Sequence, residues 1–431
     1  MHVCILVAQP DRPMDFLQQP VEALYTATIL DRAGHPTDVV DLRAETLGDA
    51  VRAAPDLFIM VTQTYDLTQC YSISLNNSRR AVAELRERYP GVPVVAAGLH
   101  ASLRPEMTRT DLDCDACLPG ELEVAVPWLV ARYAEDRTVL DGPLSQAPAT
   151  VDPTELPVPD YGKIVPARYW SEIVDPATAS LSRGTTGLLF ANRGCPYSCT
   201  YCFVWFGAKI RQRRPDQVVA EMRAQAALGI RHFFFLDYTF TISKPWVLKL
   251  CAKLRAADLG VSWICQTRCE RVDARMLAEM RAAGCSGVYY GVESPWIAET
   301  SMEKPTPRPL IESTIDMTVE AGLHPLLFIL FGTENKDPAK AEELYQWLRD
   351  LPGTFLTSAL LPRPFTSLWD SCTRDLPAPA SWAEYAEIAE WLRTDVFSSP
   401  EVRAVQDRIH RLPNYLGNRP RVAASLTPSP G

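Results

Sequence analysis

No charge-free apolar run in this 431-residue sequence approaches the ~20 residues needed to span a bilayer, so a membrane-spanning helix is not expected. The first residues, Met1-His2-Val3-Cys4-Ile5-Leu6-Val7, lack a basic leader, a long apolar core and a small-residue cleavage site. They read as a buried first strand, and the expected location is the cytoplasm. Positive charge is also in deficit: Lys and Arg number 43 against 52 Asp and Glu, a net charge of -9. That balance argues against a phosphate backbone as principal ligand, so neither nucleic acid nor membrane is expected as a partner. Short-period repeats and low-complexity blocks are absent as well. What is present is ordinary for a folded protein, 47% hydrophobic and 22% charged residues, in a chain too long for one core. Its 12 cysteines, with no secretion signal, suit a reducing compartment in which some ligate metal and others serve as small buried hydrophobes.

Residues 1–135 alternate strand and helix signals: strands at Val3 to Val7, Asp38 to Asp41, Leu57 to Val61 and Val94 to Ala97, with helices at Val21 to Ala33 and Ser74 to Tyr89. This is a doubly wound α/β pattern, whose ligands sit beyond the carboxyl ends of the strands. The loops Gln9 to Arg12, Thr62 to Asp66 and Gly98 to Ser102 would form that rim. Residues 136–185, rich in Pro, Ser and Thr, read as an irregular connection. From 186 to 370 the alternation resumes, with strands near 187–192, 231–236, 261–267, 287–292, 324–330 and 355–360. Six βα units predict a partial parallel barrel with its chemistry at the carboxyl ends of the strands. Residues 371–431 read as a helical extension and a loosely ordered tail.

The sharpest signal is Cys195-Pro-Tyr-Ser-Cys199-Thr-Tyr-Cys202, directly after the strand Leu188 to Asn192 and the turn Arg193-Gly194. Three thiolates from one loop can ligate three irons of a [4Fe-4S] cubane and leave the fourth open. Zinc sites usually pair two distant CxxC units, and no second pair has a credible position here. Cys114/Cys117 falls in a strand and turn, and Cys265/Cys269 straddles a strand end, so neither pair is expected to bind metal.

The CxxxCxxC loop resembles that of the radical S-adenosylmethionine (SAM) superfamily, over roughly residues 186–370. The resemblance implies metal ligation by Cys195, Cys199 and Cys202, SAM bound to the open iron, and reductive cleavage of SAM to methionine and a 5′-deoxyadenosyl radical. It also implies a reductant such as flavodoxin or ferredoxin. Tyr201 matches the position that packs beside adenine, the alternative being simple packing under the loop. Phe234-Phe235-Leu236-Asp237-Tyr238 ends the second strand where the family often has a Gly-Gly-Glu stretch for the SAM amino group, so that the Asp237 carboxylate and backbone carbonyls would have to serve. Arg268 and Glu293 (in Gly291-Val292-Glu293-Ser294) stand where relatives bind the SAM carboxylate and ribose, and both could equally be rim salt-bridge residues. Phe328 and Gly332, bounding the end of the fifth strand, could contact adenine. Asp237 and Glu293 are also candidate catalytic groups, with Cys372 as a hydrogen-atom donor. Residues 331–337 could line the mouth or form a solvated turn, and Arg211-Gln212-Arg213-Arg214 favours a structural role over anion binding.

The first domain resembles the cobalamin-binding domain ahead of many radical SAM enzymes, through Leu24 to Asp41, Asp56 to Thr62, Val94 to Glu106 and Gly120-Glu121-Leu122-Glu123. The Asp-x-His-x-x-Gly motif that would supply a lower cobalt ligand is absent, which leaves cobalamin possible but unproven. The compact C-terminal extension favours a cobalamin-free enzyme performing radical dehydration, epimerisation or rearrangement on a polar small molecule, such as a sugar or aminoglycoside diol in natural-product biosynthesis. This would be a lyase similar to the radical diol dehydratases. The alternative is a cobalamin-dependent radical SAM C-methyltransferase; an iron-sulfur electron carrier or sensor is the remote third, since a carrier needs no nucleoside pocket.

Overall fold

The computed structural model describes residues 1–11, 16–51, 53–65, 72–175, 181–295, 304, 306–331, 337–396 and 399–418. Strands β1 (Val3–Val7), β2 (Thr37–Asp41), β3 (Leu57–Val61), β4 (Val94–Ala97) and β5 (Ala116–Leu118) form one sheet in the order β2-β1-β3-β4-β5. Every pairing is parallel. β1 and β3 are apolar and buried throughout because both faces of a central parallel strand lie under helices. Helices Val21–Arg32 and Leu122–Glu135 pack against each other on one face, around Leu24, Ala27, Val126 and Leu129. Helix Asn76–Arg88 covers the other face with Val82 and Leu85. The order 2-1-3-4-5 reverses direction between β1 and β3, and the crevice beyond the carboxyl ends at such a reversal is where doubly wound sheets bind ligands.

The segment read as irregular carries regular structure. β6 (Trp170–Val174) and β7 (Leu181–Thr185) form an antiparallel pair, and Leu17 bridges to Trp170. The Pro-rich neighbourhood masks these strands, whose Val174 and Leu181 enter the same core as Phe234, Ile264, Tyr289 and Leu326. The hairpin thereby plugs the concave side of the second sheet. Gly287 lets the two approach closely, since a Cβ would lie 3.1 Å from a Val174 methyl and 3.0 Å from the His324 carbonyl oxygen.

That second sheet has six parallel strands, β8 (Gly187–Leu189), β11 (His232–Phe235), β12 (Ser262–Thr267), β13 (Cys285–Glu293), β14 (His324–Phe331) and β15 (Thr354–Ala359), adjacent in chain order. Two further short strands, β9 (Asn192–Arg193) and β10 (Arg211–Gln212), pair antiparallel beside it. Alternation along each strand divides the core. Phe233, Phe235, Trp263, Val288 and Leu327 face outward under the crossover helices, whereas Phe234, Ile264, Tyr289 and Leu326 face inward. Cys265, Cys269 and Cys285 belong to the outward set, as small apolar packing.

The C-terminal extension straps the two halves together. Trp382 is buried in the core of the first sheet, its indole donating to Thr108 Oγ1 at 2.9 Å. The helix Pro400–Ile409 packs instead on the barrel helix Pro338–Arg349. No helix among the described residues is long and apolar enough to cross a membrane.

Candidate functional site

The cysteine loop leaves the barrel after β9 and returns at β10, so its base is closed by the Asn192–Gln212 and Arg193–Arg211 pairs. Gly194 makes the exit turn with φ of 90°; a Cβ there would stand 2.2 Å from the Lys209 carbonyl oxygen, a position only glycine tolerates. The Cys195 amide then donates to the Gly207 carbonyl at 3.1 Å. Below the turn, the buried Arg193 guanidinium donates to Glu121 Oε2 at 2.8 Å and also pairs with Glu123, both at the start of helix Leu122–Glu135. Arg211 shares Glu121 at 3.0 Å. The cysteine loop is thus bolted to the first domain by buried charge.

All three cysteines line one cavity of about 530 Å³ inside the partial barrel. Arg268 reaches it from the end of β12, its Nη1 3.2 Å from Cys199 Sγ and its guanidinium 4.0 Å from the centre of the Tyr197 ring. Glu293, ending β13, is held at φ 60° and is ion-paired with Lys304, which also donates to the Gly291 carbonyl. Gly291 makes room for this pair, since a Cβ would meet both charged groups at 2.9 Å. Tyr201 lies beside them; burial, then the Glu293 charge, push its ionisation well above the usual range. Phe328 lines the same wall, stacked on Tyr289 with centroids 4.9 Å apart.

Two expected site residues have other duties. Asp237 is fully buried, does not line the cavity, and accepts from the Ala191 amide at 3.2 Å and from the Asn192 amide. Its carboxyl, pushed up to about 7 by burial, pins the strand that leads into the cysteine loop. The adjacent Tyr238 and Thr239 are the ones that face the cavity. Cys372 is exposed at the end of helix Ser367–Cys372 and does not line the cavity, so the geometry gives it no hydrogen atom to deliver. Gly332 lies outside the described residues, as does most of the loop that follows it. Sequence reasoning missed Lys304, Glu172 and Arg183, all cavity-lining, because none sits in a motif or at a barrel strand end. Of the arginine run, Arg213 pairs with Glu221 at 2.6 Å and Arg214 caps helix Pro215–Ala227, both structural duties.

The rim of the first sheet meets this cavity. Tyr65, just past β3 at the topological reversal, is buried with its ring 5.2 Å from that of Tyr238 and in edge contact with Trp205. His100, the rim histidine, is occupied: its ring nitrogens lie 3.0 Å from Thr62 Oγ1 and 2.8 Å from the Ser72 carbonyl. Burial lowers its pKa to about 4. Cys114 and Cys117 lie with sulfurs 3.9 Å apart inside the same domain, Cys114 Sγ also donating to the Ala116 carbonyl at 3.4 Å.

Residues 190–348 match the Radical SAM superfamily. An uncharacterized methyltransferase of Pyrococcus horikoshii is 24% identical over 89% of this chain and 85% of its own length. The anaerobic magnesium-protoporphyrin IX monomethyl ester cyclase of Rubrivivax gelatinosus is 27% identical over 81% of this chain, which spans 65% of that enzyme. Among solved structures, the radical SAM methyltransferase TsrM from Kitasatospora setae, with cobalamin and a [4Fe-4S] cluster bound, superposes with a TM-score of 0.69 at 18% identity, covering 88% of this chain and 79% of that one. None of these three is a dehydratase, so the expected lyase chemistry gains no support from them.

The residues present fit the implied groups. Three cysteine sulfurs on one cavity wall, one of them already beside a cation, suit a cluster with an open iron. The Arg268, Glu293 and Lys304 charges beside them suit the ammonium and carboxylate of SAM. On the rim, Gly98 at φ 90° brings β4 so close to β3 that a Cβ would lie 3.3 Å from the Gln63 carbonyl oxygen. Backbone and hydroxyl groups of that rim would hold a corrinoid, His100 being engaged by Thr62 and the Ser72 carbonyl. Residues 190–348 thus form a radical SAM domain, and the Rossmann-like sheet ahead of the partial barrel shares the fold of the TsrM chain.

Proposed function

We propose that this chain is a cobalamin-dependent radical SAM methyltransferase acting on a carbon of a polar small molecule, with electrons from a flavodoxin- or ferredoxin-like donor. The observation that carries this reading is Tyr65: it belongs to the ligand-binding rim of the first sheet, yet it packs on Tyr238, which lines the cysteine cavity. A corrinoid on that rim and a cluster in that cavity would address one substrate from two sides. The methyltransferase names of two relatives support the same reading.

When bound, the cluster supplies the electron that cleaves SAM, and the corrinoid supplies the methyl group. The chain's own residues prepare the site. Arg268 donates to the Cys199 sulfur, and the Glu293–Lys304 pair offers both signs of charge to a zwitterionic amino acid head. Tyr65, Phe190, Phe206 and Tyr238 pack ring against ring where the two domains meet, excluding water from the route between them.

The test is anaerobic reconstitution of the full chain with iron, sulfide and hydroxocobalamin, followed by desalting and absorption spectra. The expected result is near-stoichiometric corrinoid beside the cluster band, with Tyr65→Ala losing corrinoid and keeping the cluster. A cluster-loaded protein that releases all its corrinoid overturns the reading.

A further inference from the structure

The cavity has a second set of polar groups, a further pole that the chemistry above does not use. It is built by the hairpin under the barrel. Glu172 on β6 faces Arg183 on β7 across the register, with Arg183 Nε 3.5 Å from Glu172 Oε1; their side chains are 1% and 9% exposed, and both line the cavity. Arg183 Nε and Nη1 are nonetheless buried without a hydrogen-bond partner. Two neighbouring inward residues share that condition. Gln266 on β12 and Tyr289 on β13 stand opposite each other in the ladder, and both the Gln266 Nε2 amide and the Tyr289 hydroxyl are buried and unbonded. Gln266 lines the cavity, and Tyr289 lies within electrostatic reach of both Glu172 and Arg183.

Buried polar groups are nearly always satisfied, so several unsatisfied groups gathered in one region call for a ligand. Arginine and the carboxamide NH2 can only donate, and the Tyr289 hydroxyl can, so the missing partner is an acceptor with several lone pairs, of which a carboxylate is the one that also gains from sharing the guanidinium with Glu172. The same cavity also carries an apolar stretch of wall, with Phe16, Phe328 and Leu356. We propose that Arg183, assisted by Gln266 and Tyr289, binds a carboxylate of the substrate, whose apolar body lies along this belt and points the reacting carbon at the cysteine pole. Glu172, which lines the same pole, keeps the guanidinium in place through its ion pair. This substrate class rests on the reading of the cavity as the site of SAM chemistry.

The test uses the cluster-loaded full chain and two probes of equal shape, phenylbutyrate and phenylbutyramide, with binding followed by calorimetry. The expected result is a preference for the acid of at least about tenfold, the scale of one charge-assisted hydrogen bond. Arg183→Gln removes the preference, Arg183→Lys keeps part of it, and Gln266→Met lowers it several-fold; an unchanged cluster spectrum in each variant certifies its fold. SAM affinity is measured alongside. Equal binding of acid and amide by the parent overturns the carboxylate site while leaving the radical SAM reading intact. A loss of SAM affinity in Arg183→Gln that matches the loss of probe affinity overturns it too, by making the pole part of the SAM site. Failure of the parent to bind SAM at all, with the acid preference retained, instead strikes the functional reading and leaves the anion site standing.

Discussion

Replacing Arg193 by methionine tests how the cysteine loop is anchored. Its guanidinium is buried against two carboxylates, Glu121 and Glu123, with side-chain exposures of 1%, 6% and 0% respectively. Glu121 retains Arg211 in the variant, but Glu123 is left as an uncompensated buried charge near Glu22, whose own carboxyl is pushed up to about 7 by burial, with the Glu123 charge adding to it. Removing one member of a buried pair costs about 3–5 kcal/mol, so Arg193→Met is expected to lose that much against chemical denaturation at neutral pH. The double variant Arg193→Met/Glu123→Met removes both charges and is expected to recover most of the loss. Because Arg193 immediately precedes Gly194 and Cys195, cluster loading should fall in the single variant and return in the double. A single variant within about 1 kcal/mol of the parent, or a double variant worse than the single, refutes the argument that an orphaned Glu123 is the cause.

Other outcomes follow from the same geometry. Gly194→Ala forces a Cβ to 2.2 Å from a carbonyl oxygen and should abolish cluster loading while leaving far-ultraviolet dichroism unchanged. His100 has a pKa lowered from 6.5 to about 4, so the folded state binds fewer protons than the unfolded one between those values. Its contribution is complete above pH 6.5 and is lost as pH falls towards 4, by up to about 3 kcal/mol; a His100→Gln variant should show a flatter fall of melting temperature over that window. Cys372→Ser should retain SAM cleavage at the parent rate in an anaerobic turnover assay, because the thiol is exposed and outside the cavity.

The strand and helix alternation was legible because buried parallel strands such as β1 and β3 are continuous apolar runs, and their crossover helices carry the longer period. The cysteine loop was legible because its three ligands are adjacent in the chain. Long-range partnerships were not. Glu172 and Arg183 meet only because an antiparallel pair forms in a segment whose composition reads as loop, and Lys304 reaches Glu293 from a segment with no periodic signal. Asp237 illustrates the reverse error: its place at a strand end suggested a ligand, but its side chain turns back to two backbone amides. A sequence gives the position of a carboxylate along a strand, whereas its direction follows from which donors the fold leaves unsatisfied. The domain interface was hidden for the same reason, since Trp382 and Arg193 each contact residues far away in the chain.

The most direct test of the account is an anaerobic assay of the reconstituted parent and of the triple variant Cys195→Ala/Cys199→Ala/Cys202→Ala, with SAM and dithionite, quantifying 5′-deoxyadenosine by mass spectrometry. The account predicts cluster absorption and 5′-deoxyadenosine from the parent and neither from the variant. A triple variant that cleaves SAM as the parent does, or a cluster-loaded parent that leaves SAM intact, contradicts it.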